Sequence, residues 1–403
     1  MRTNHGHLTY CTNIHPGEGW DEHFKQLRQH IPLVKAVLSP SQPFGIGLRL
    51  SNKASLELSK EEQLTAFKQW LKEQDCYVFT MNGFPYGGFH HVKVKDQVHV
   101  PDWTQADRVI YTIRLFRLLA ALLPEGMEGS ISTSPLSYKF WARCEEEVNS
   151  VTESGTLNLL LVVEQLARIR RNGGPLLHID IEPEPDGLLE NSQEYIHWYF
   201  QRLLPAGIPF LEDKLGVTAA EAADMIKDHV QLCYDVCHFA LAYEQPAQVL
   251  ATMREHGLKI GKLQISAALK AALPAAGTPK RNAVIAAFRA FNEPIYLHQV
   301  LARTAAGIQH YPDLPEALAD AENPQVLEWR SHFHVPLFID HYGLLSATQE
   351  DIREVLALQQ QQAFTAHMEV ETYTWEVLPA DLKLPMDQSI ARELTWVKQQ
   401  LEL

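Results

Sequence analysis

The chain has 403 residues, of which 46% are hydrophobic and 21% are charged, which is typical of one large globular domain or two medium ones. Its formal net charge of −14, with no lysine- or arginine-rich run, argues against a nucleic-acid partner, because an acidic surface repels phosphate backbones.

Five widely spaced cysteines do not resemble a disulfide framework and indicate a reducing compartment. The N-terminal segment lacks the apolar core of a signal peptide, and no uncharged apolar stretch reaches the ~18 residues that a membrane helix needs. We therefore expect a cytoplasmic protein.

Short β-rich runs alternate with helical patterns along the chain. The predicted strands are residues 7–15, 44–51, 76–84, 128–136, 176–187, 229–240, 258–269 and 366–375. Eight strands with helices between them predict a (β/α)8 TIM barrel that forms a single domain over residues 1–403. Residues 270–330, rich in Ala and Pro and helical in parts, break this rhythm. We interpret them as an insertion or lid after the seventh strand.

Polar side chains collect where the predicted strands end, which is where such barrels carry their chemistry. The candidates from the first strand to the last are His15, Arg49, Asn82, Glu182, Asp235 with His238, Gln264, the pair His332 and His334 that follows the insertion, and Glu369 with Glu371. Carboxylates and imidazoles are ligands for Mn, Mg, Fe, Co or Zn, so this convergence predicts a divalent metal site.

Each of these motifs also has a structural interpretation. In "CYDVCH", residues 233–238, Cys233 and Cys237 fit small buried residues better than ligands. Asp235 and His238 alone could form a surface turn, and His332 and His334 alone could be structural. Several strand ends with ligand-type residues, in barrel order, favour the metal site.

The chain resembles the xylose isomerase-like superfamily of barrels in the order of four features. These are Glu in "IEPEP", Asp-x-x-His in "DVCH", a polar residue on the seventh strand and Glu in "VETYTW". The chain also resembles the metabolite traffic protein EboE family in five longer strings: "LTYCTNIHPGEGW", "NGFPYGGFHH", "VHVPDW", "HFHVPLF" and "EVETYTW". That resemblance implies a role in metabolite biosynthesis or export beside a membrane prenyltransferase-like partner.

The superfamily resemblance assigns roles to individual residues. It implies that Glu182, Asp235, His238 and Glu371 bind the metal, with Glu369 as the rival of Glu371. The sugar epimerases carry a histidine where this chain has Gln264, a weaker and neutral ligand. The pair His332 and His334 resembles the Asp-x-His pair of the multi-zinc endonucleases and could supply imidazoles instead.

The resemblance further implies a sugar isomerase or epimerase that acts on a small polyhydroxylated or hydroxy-ketone metabolite through an enediolate, with Glu182 and Glu371 exchanging protons on its two faces. The residues expected to contact substrate are His15, Arg49, Asn82, Tyr86, His90, His91 and Glu369. Two alternatives stay open at this point. One is a multi-metal phosphoester hydrolase, and the other is a non-catalytic metabolite-binding protein whose insertion forms an apolar lid with Phe288, Phe291, Tyr296 and Leu297.

Overall fold

The structure is a computed structural model that describes residues 1–88, 95–293, 296–373, 375 and 383–402. Within these residues no helix is long and apolar enough to cross a membrane.

Two β-sheets organise the chain. The larger sheet contains β1 (Arg2–Thr3), β2 (Gly6–Tyr10), β3 (Phe44–Arg49), β4 (Cys76–Asn82), β5 (Gly129–Thr133), β6 (Leu177–Ile181), β7 (Val230–Asp235), β8 (Ile260–Ile265) and β15 (His367–Val370). The smaller sheet contains β9 (Leu269–Ala272), β10 (Val300–Thr304), β11 (Gly307–Tyr311), β12 (Val326–Ser331), β13 (His341–Tyr342) and β14 (Leu345–Ala347).

Helices cover the outside of the larger sheet and connect its parallel strands. They are α1 (Trp20–Leu38), α2 (Asn52–Leu58), α3 (Glu61–Glu73), α4 (Ala106–Leu122), α5 (Glu145–Arg171), α6 (Ser192–Trp198), α7 (Leu204–Leu215), α8 (Ala219–His229), α9 (Val236–Leu241), α10 (Pro246–Glu255), α13 (Gln349–Gln361) and α14 (Met386–Glu402). Two further helices, α11 (Pro279–Arg289) and α12 (Leu314–Ala319), contact the smaller sheet instead. A π-helical turn, Tyr199–Leu203, joins α6 to α7.

The larger sheet runs β1-β2-β15-β8-β7-β6-β5-β4-β3, and every pairing except the β1–β2 hairpin is parallel. The seam between β2 and β3 closes mainly through a side chain. Thr9 Oγ1 donates to Gly45 O at 2.8 Å and accepts from Gly47 N at 3.1 Å, and Cys11 bridges to Gly47. The sheet is therefore a nearly closed eight-stranded barrel, with β1 as an antiparallel addition, which confirms the predicted fold class.

The smaller sheet is antiparallel and lies in sequence between β8 and α13, in the order β11-β10-β12-β9-β14-β13. The sequence pattern predicted only partly helical structure for residues 270–330. Two helices, α11 and α12, are present, but β9, β10 and β11 form strands because each pairs with a strand distant in sequence or with its hairpin neighbour.

All eight predicted strands are shorter than the sequence indicated, and two of them give way directly to helical turns. The first strand stops at Tyr10, and Thr12–Ile14 forms a 3-10 turn. The sixth stops at Asp235, whose Oδ1 accepts the His238 backbone N–H at 3.2 Å as the N-cap of α9. Asp favours this position because its carboxylate satisfies an N–H that the first turn leaves unpaired.

Candidate metal centre at the carboxyl end of the barrel

Three carboxylates meet at the carboxyl ends of the barrel strands. Glu182 follows β6, Asp235 ends β7 and Glu371 follows β15, and each contributes an oxygen to a group whose atoms all lie within 4.8 Å of one another. All three side chains are buried. Parallel strands deliver their carboxyl ends to one edge, so residues far apart in sequence converge here.

Gln264, from β8, lies at the centre of this group. Its Nε2 donates to Glu371 Oε2 at 2.5 Å, to Glu182 Oε1 at 3.2 Å and to Asp235 Oδ2 at 3.4 Å. Cys233 Sγ contacts Gln264 Oε1 at 2.7 Å. The N–H groups of the Gln264 amide thus face three carboxylates. A 180° rotation of the amide would instead direct its oxygen, a possible metal ligand, toward them.

Glu371 is also oriented from the other side of the barrel. Asn13 Nδ2 and Asn82 Nδ2 donate to its Oε1 at 2.6 and 2.9 Å. Asn82 Oδ1 in turn accepts from the Phe84 backbone N–H at 3.0 Å. Amide donors from the segment after β2 and from the end of β4 therefore fix this carboxylate. Glu182, by contrast, has a buried Oε2 that accepts no hydrogen bond from the described residues.

Three histidines complete the cluster, and outer partners define the tautomer of each. His238 Nδ1 lies 3.1 Å from Pro183 O, His332 Nδ1 lies 2.8 Å from Gln299 Oε1, and His334 Nδ1 lies 3.0 Å from Glu371 O. A carbonyl oxygen only accepts, so each Nδ1 carries the proton and each Nε2 presents a lone pair. His238 Nε2 and His332 Nε2 face each other at 3.2 Å, an arrangement that a cation or a shared proton would stabilise.

Burial and mutual repulsion set the protonation of this cluster. Burial, followed by the charges of Glu371 and Asp235, holds the pKa of Glu182 well above its usual range. Burial chiefly raises the pKa of Glu371 to about 7, although nearby His334 opposes the shift. Burial and the neighbouring imidazoles hold the pKa values of His238 and His332 well below their usual range. His238 and His332 are therefore neutral at pH 7, as metal ligands must be.

A second polar layer lies one pleat deeper in the barrel. Lys262 Nζ is 2.5 Å from Glu369 Oε2, and both side chains are fully buried. Glu369 precedes Glu371 by two residues on β15, and Lys262 precedes Gln264 by two on β8, so each lies below its neighbour on the same face. Glu369, one of the residues predicted to contact substrate, is paired with Lys262 in this layer and does not line the cavity described below.

A small cavity of about 90 Å³ opens above the carboxylates. Its lining from the barrel includes Glu182, Glu371, Asn82, His238 and His99, and its lining from the insertion and the segment after it includes Tyr296, Leu297, Gln299, His332 and His334. A cavity needs ~10–15 Å³ to hold one buried water, so this cavity has room for a few waters or a small polar molecule.

Three residues predicted to contact substrate lie away from this cavity. Arg49 donates from Nη2 to Pro85 O at 3.4 Å and to Gly87 O, so its guanidinium supports the loop after β4. His15 Nε2 is 2.8 Å from Tyr10 OH, and its ring stacks on His30. Tyr86 packs edge-on against Tyr111. His90 and His91 lie outside the described residues.

The strand-end pattern did not identify His99 or Gln299. His99 Nε2 and Glu184 Oε1 form a buried pair 3.0 Å apart in the cavity wall. His99 follows no barrel strand, since it ends the 3-10 turn Lys95–His99, and Gln299 precedes β10 in the insertion. The string "VHVPDW", which contains His99, was the available signal.

The donor set fits a divalent cation. The described residues form four overlapping groups of His, Cys, Asp or Glu whose ligand atoms lie within 4.8 Å of one another, and all of them are buried: Glu182–Asp235–Glu371, Asp235–His238–His334, Glu184–His238–His332 and Cys237–His332–His334. Three buried carboxylates next to neutral imidazoles leave negative charge that the paired Lys262 does not neutralise, and burial of such charge is costly without a cation.

Comparison with solved structures establishes the fold family. A xylose isomerase-like TIM barrel protein from Mycobacterium smegmatis, in complex with magnesium, matches with a TM-score of 0.51 at 12% sequence identity, over 100% of this chain and 98% of that one. This chain has the xylose isomerase-like barrel fold. The predicted xylose isomerase-like TIM-barrel fold is thereby confirmed.

Other matches to this xylose isomerase-like barrel are weaker. The IOLI protein with a bound zinc atom has a TM-score of 0.47 at 10% identity, and the probable 3-DHS dehydratase AsbF from Bacillus anthracis has 0.45 at 11%. Each of these two alignments covers 98% of both chains. No protein-family model matches the sequence, and no curated protein matches it either.

Proposed function

We propose that this xylose isomerase-like barrel is a divalent-cation-dependent isomerase or epimerase of a small polyhydroxylated or hydroxy-ketone metabolite. The observation that carries the proposal is the convergence of Glu182, Asp235 and Glu371, of which Glu182 and Glu371 line a cavity of about 90 Å³. A cavity this small, with carboxylate, amide and imidazole groups in its wall, suits a short hydroxylated molecule rather than a polymer or a lipid.

The proposed ligands are Glu182, Asp235, Glu371 and His238, with Gln264 as a neutral fifth donor if its amide turns. His332 and His334, on the insertion side of the cavity, are proposed as further imidazole ligands. The ion supplies Lewis-acid polarisation of two adjacent substrate oxygens. Mg, Mn, Fe, Co and Zn all accept such a mixed oxygen and nitrogen set, so the identity of the ion is left to measurement.

The proton-transfer roles follow from the surroundings of the two glutamates. Glu182 Oε2 is buried at the cavity and accepts no hydrogen bond from the described residues, so it is available to take a proton from a substrate carbon. Glu371 lies across Gln264 from Glu182, so the two glutamates can act on opposite sides of a bound substrate. The pair His99 and Glu184 can bind a substrate hydroxyl from the wall.

The test is exchange of substrate protons with solvent. The purified protein, loaded in turn with Mg²⁺, Mn²⁺, Co²⁺ and Zn²⁺, is incubated in D₂O with a panel of ketoses and cyclic polyol ketones, and deuterium incorporation is followed by NMR. We expect incorporation by the wild type and its loss in E182Q and in E371Q. E153Q, which changes an exposed glutamate of α5, should behave as the wild type. Exchange that persists in E182Q would rule out the assigned base.

One observation favours a second candidate function. Glu184, His238 and His332 form a further group that could hold another cation beside the carboxylates. Two ions ~3.5–4 Å apart would suit hydrolysis of a small phosphoester, because such pairs clamp the attacking and leaving oxygens. Metal analysis separates the candidates, since one ion per chain supports isomerase chemistry and two or three support hydrolysis.

The resemblance to the EboE family, with its prenyltransferase-like membrane partner, is retained as a narrower proposal for the biological setting. A role as an apolar carrier has less support. Phe288 is fully buried against Trp329, and Phe291 packs on Phe333 and Tyr342, so these two side chains fill the core of the insertion. Of the four predicted lid residues, Tyr296 and Leu297 line the cavity.

A further inference from the structure

Gln299 holds His332 through two hydrogen bonds. The antiparallel register that pairs Val300 of β10 with Ser331 of β12 places Gln299 opposite His332, one step beyond the ladder. The His332 backbone N–H donates to Gln299 O at 2.9 Å, and His332 Nδ1–H donates to Gln299 Oε1 at 2.8 Å. Backbone and side chain of one residue thus fix both the position and the rotation of this imidazole.

The amide of Gln299 can adopt only one orientation. Its Nε2 donates to Pro185 O at 3.1 Å, so Oε1 must face His332. Turning the amide over would place its N–H against His332 Nδ1–H and its oxygen against Pro185 O. Both hydrogen bonds would then be lost. Gln299 is almost fully buried, so water cannot replace them.

Pro185 and Pro183 belong to the short segment after β6 that also carries Glu182 and Glu184. Pro183 O accepts from His238 Nδ1, and Pro185 O accepts from Gln299 Nε2. The same four-residue segment therefore orients His238 directly and His332 through Gln299, and it turns their Nε2 atoms toward each other at 3.2 Å.

We infer that Gln299 is a positioning residue of the metal centre. It orients His332 toward the ion and so connects the smaller sheet to the metal site of the barrel. This inference rests on the proposed metal site and adds to it a residue outside the ligand set. Partners that hold the outer nitrogen of a metal-bound histidine typically contribute 10–100-fold to metal affinity. The insertion is then part of the centre rather than only its cover.

The experiment measures Co²⁺ binding to the full-length protein by titration, with the visible absorption spectrum of the bound ion as a second readout. In Q299L we expect the Kd for Co²⁺ to rise about 10–100-fold, with a changed spectrum because one imidazole is lost. Q299E keeps an acceptor for His332 Nδ1–H and should recover much of the affinity. Q309L, which removes an amide from β11 that contacts Asp320, is the matched control and should bind as the wild type does.

A double mutant shows whether Gln299 acts through His332. If it does, Q299L/H332A binds Co²⁺ no more weakly than H332A alone, whereas independent contributions would add. Unchanged affinity and spectrum in Q299L, or additive losses in the double mutant, overturn the inference and leave the proposed metal site standing. Absence of Co²⁺ binding by the wild type overturns the metal site and this inference together. Thermal unfolding of each metal-free variant verifies folding, and Q299N, whose shorter side chain cannot reach His332, replaces Q299L if that variant does not fold.

Discussion

The buried ion pair between Lys262 and Glu369 gives the sharpest prediction about stability. Both side chains are fully buried, and Lys262 Nζ lies 2.5 Å from Glu369 Oε2, with Ser132 Oγ at 3.3 Å and Met81 O at 3.4 Å. K262M keeps most of the apolar stem and removes the charge, which leaves a carboxylate in the barrel interior below Glu371. Removing one partner of a buried pair costs about 3–5 kcal/mol, and we expect a loss of that size.

A double mutant separates the missing pair from the missing packing. K262M/E369Q has neither charge, so it should be more stable than K262M alone by about 2–3 kcal/mol, because the unpaired carboxylate is gone. The matched control is K259M, which breaks the pair between Lys259 and Asp228 just before β8. That pair has a similar separation of 2.7 Å, but its side chains are 50% and 49% exposed, so its loss should cost about 0–1 kcal/mol.

Urea unfolding at pH 7, followed by tryptophan fluorescence with EDTA present, measures all four proteins. Equal m-values would show that the same surface is exposed in each. If K262M costs no more than K259M, or if the double mutant is the least stable of the set, the pair is not the buried charge–charge contact that the structure indicates.

The barrel, and the strands that carry the candidate metal ligands, could be predicted because the local sequence patterns in these segments agree with the fold. Period-two and helical patterns alternate along most of the chain, and a parallel barrel brings every strand's carboxyl end to one rim. Glu182 and Asp235, and Glu371 with Glu369 as its rival, could thus be selected as candidates from their positions at strand ends without knowledge of any contact.

The depth at which each polar side chain lies along the barrel axis could not be predicted in the same way. Glu369 and Glu371 lie two residues apart, and only contacts with distant residues, such as that of Glu369 with Lys262, show which one reaches the cavity. Arg49 ends its strand as a substrate-binding residue would, yet the carbonyls of the loop after β4 draw it sideways. Both outcomes depend on pairings between distant residues.

The insertion was the least predictable part for a related reason. The Ala-rich segment at β9 has low strand propensity, and it is a strand because it lies between β12 and β14. Gln299 becomes a partner of His332 only through that sheet, so no local spacing could identify it.

Two further predictions concern metal binding and pH. Mn²⁺ at 100 times its Kd should stabilise the metal-free protein by about 2.7 kcal/mol in thermal unfolding, and D235N should show almost no such shift; an equal shift in D235N would place the ion elsewhere. The other prediction concerns Glu393, which is buried and accepts from Leu337 N at 2.9 Å and from Thr372 Oγ1 at 3.0 Å. Burial raises its pKa to about 8, so the folded protein keeps this proton up to that pH, whereas the unfolded chain loses it near ~4.3. The stability from this group is complete below ~4.3 and is lost as the pH rises to about 8, at about 1.4 kcal/mol per pH unit. E393Q has no such proton to lose, so its stability relative to the wild type should rise with that slope between the two values. Parallel stability curves for the two proteins, measured by urea unfolding across that range, would show that Glu393 is already ionised in the folded state.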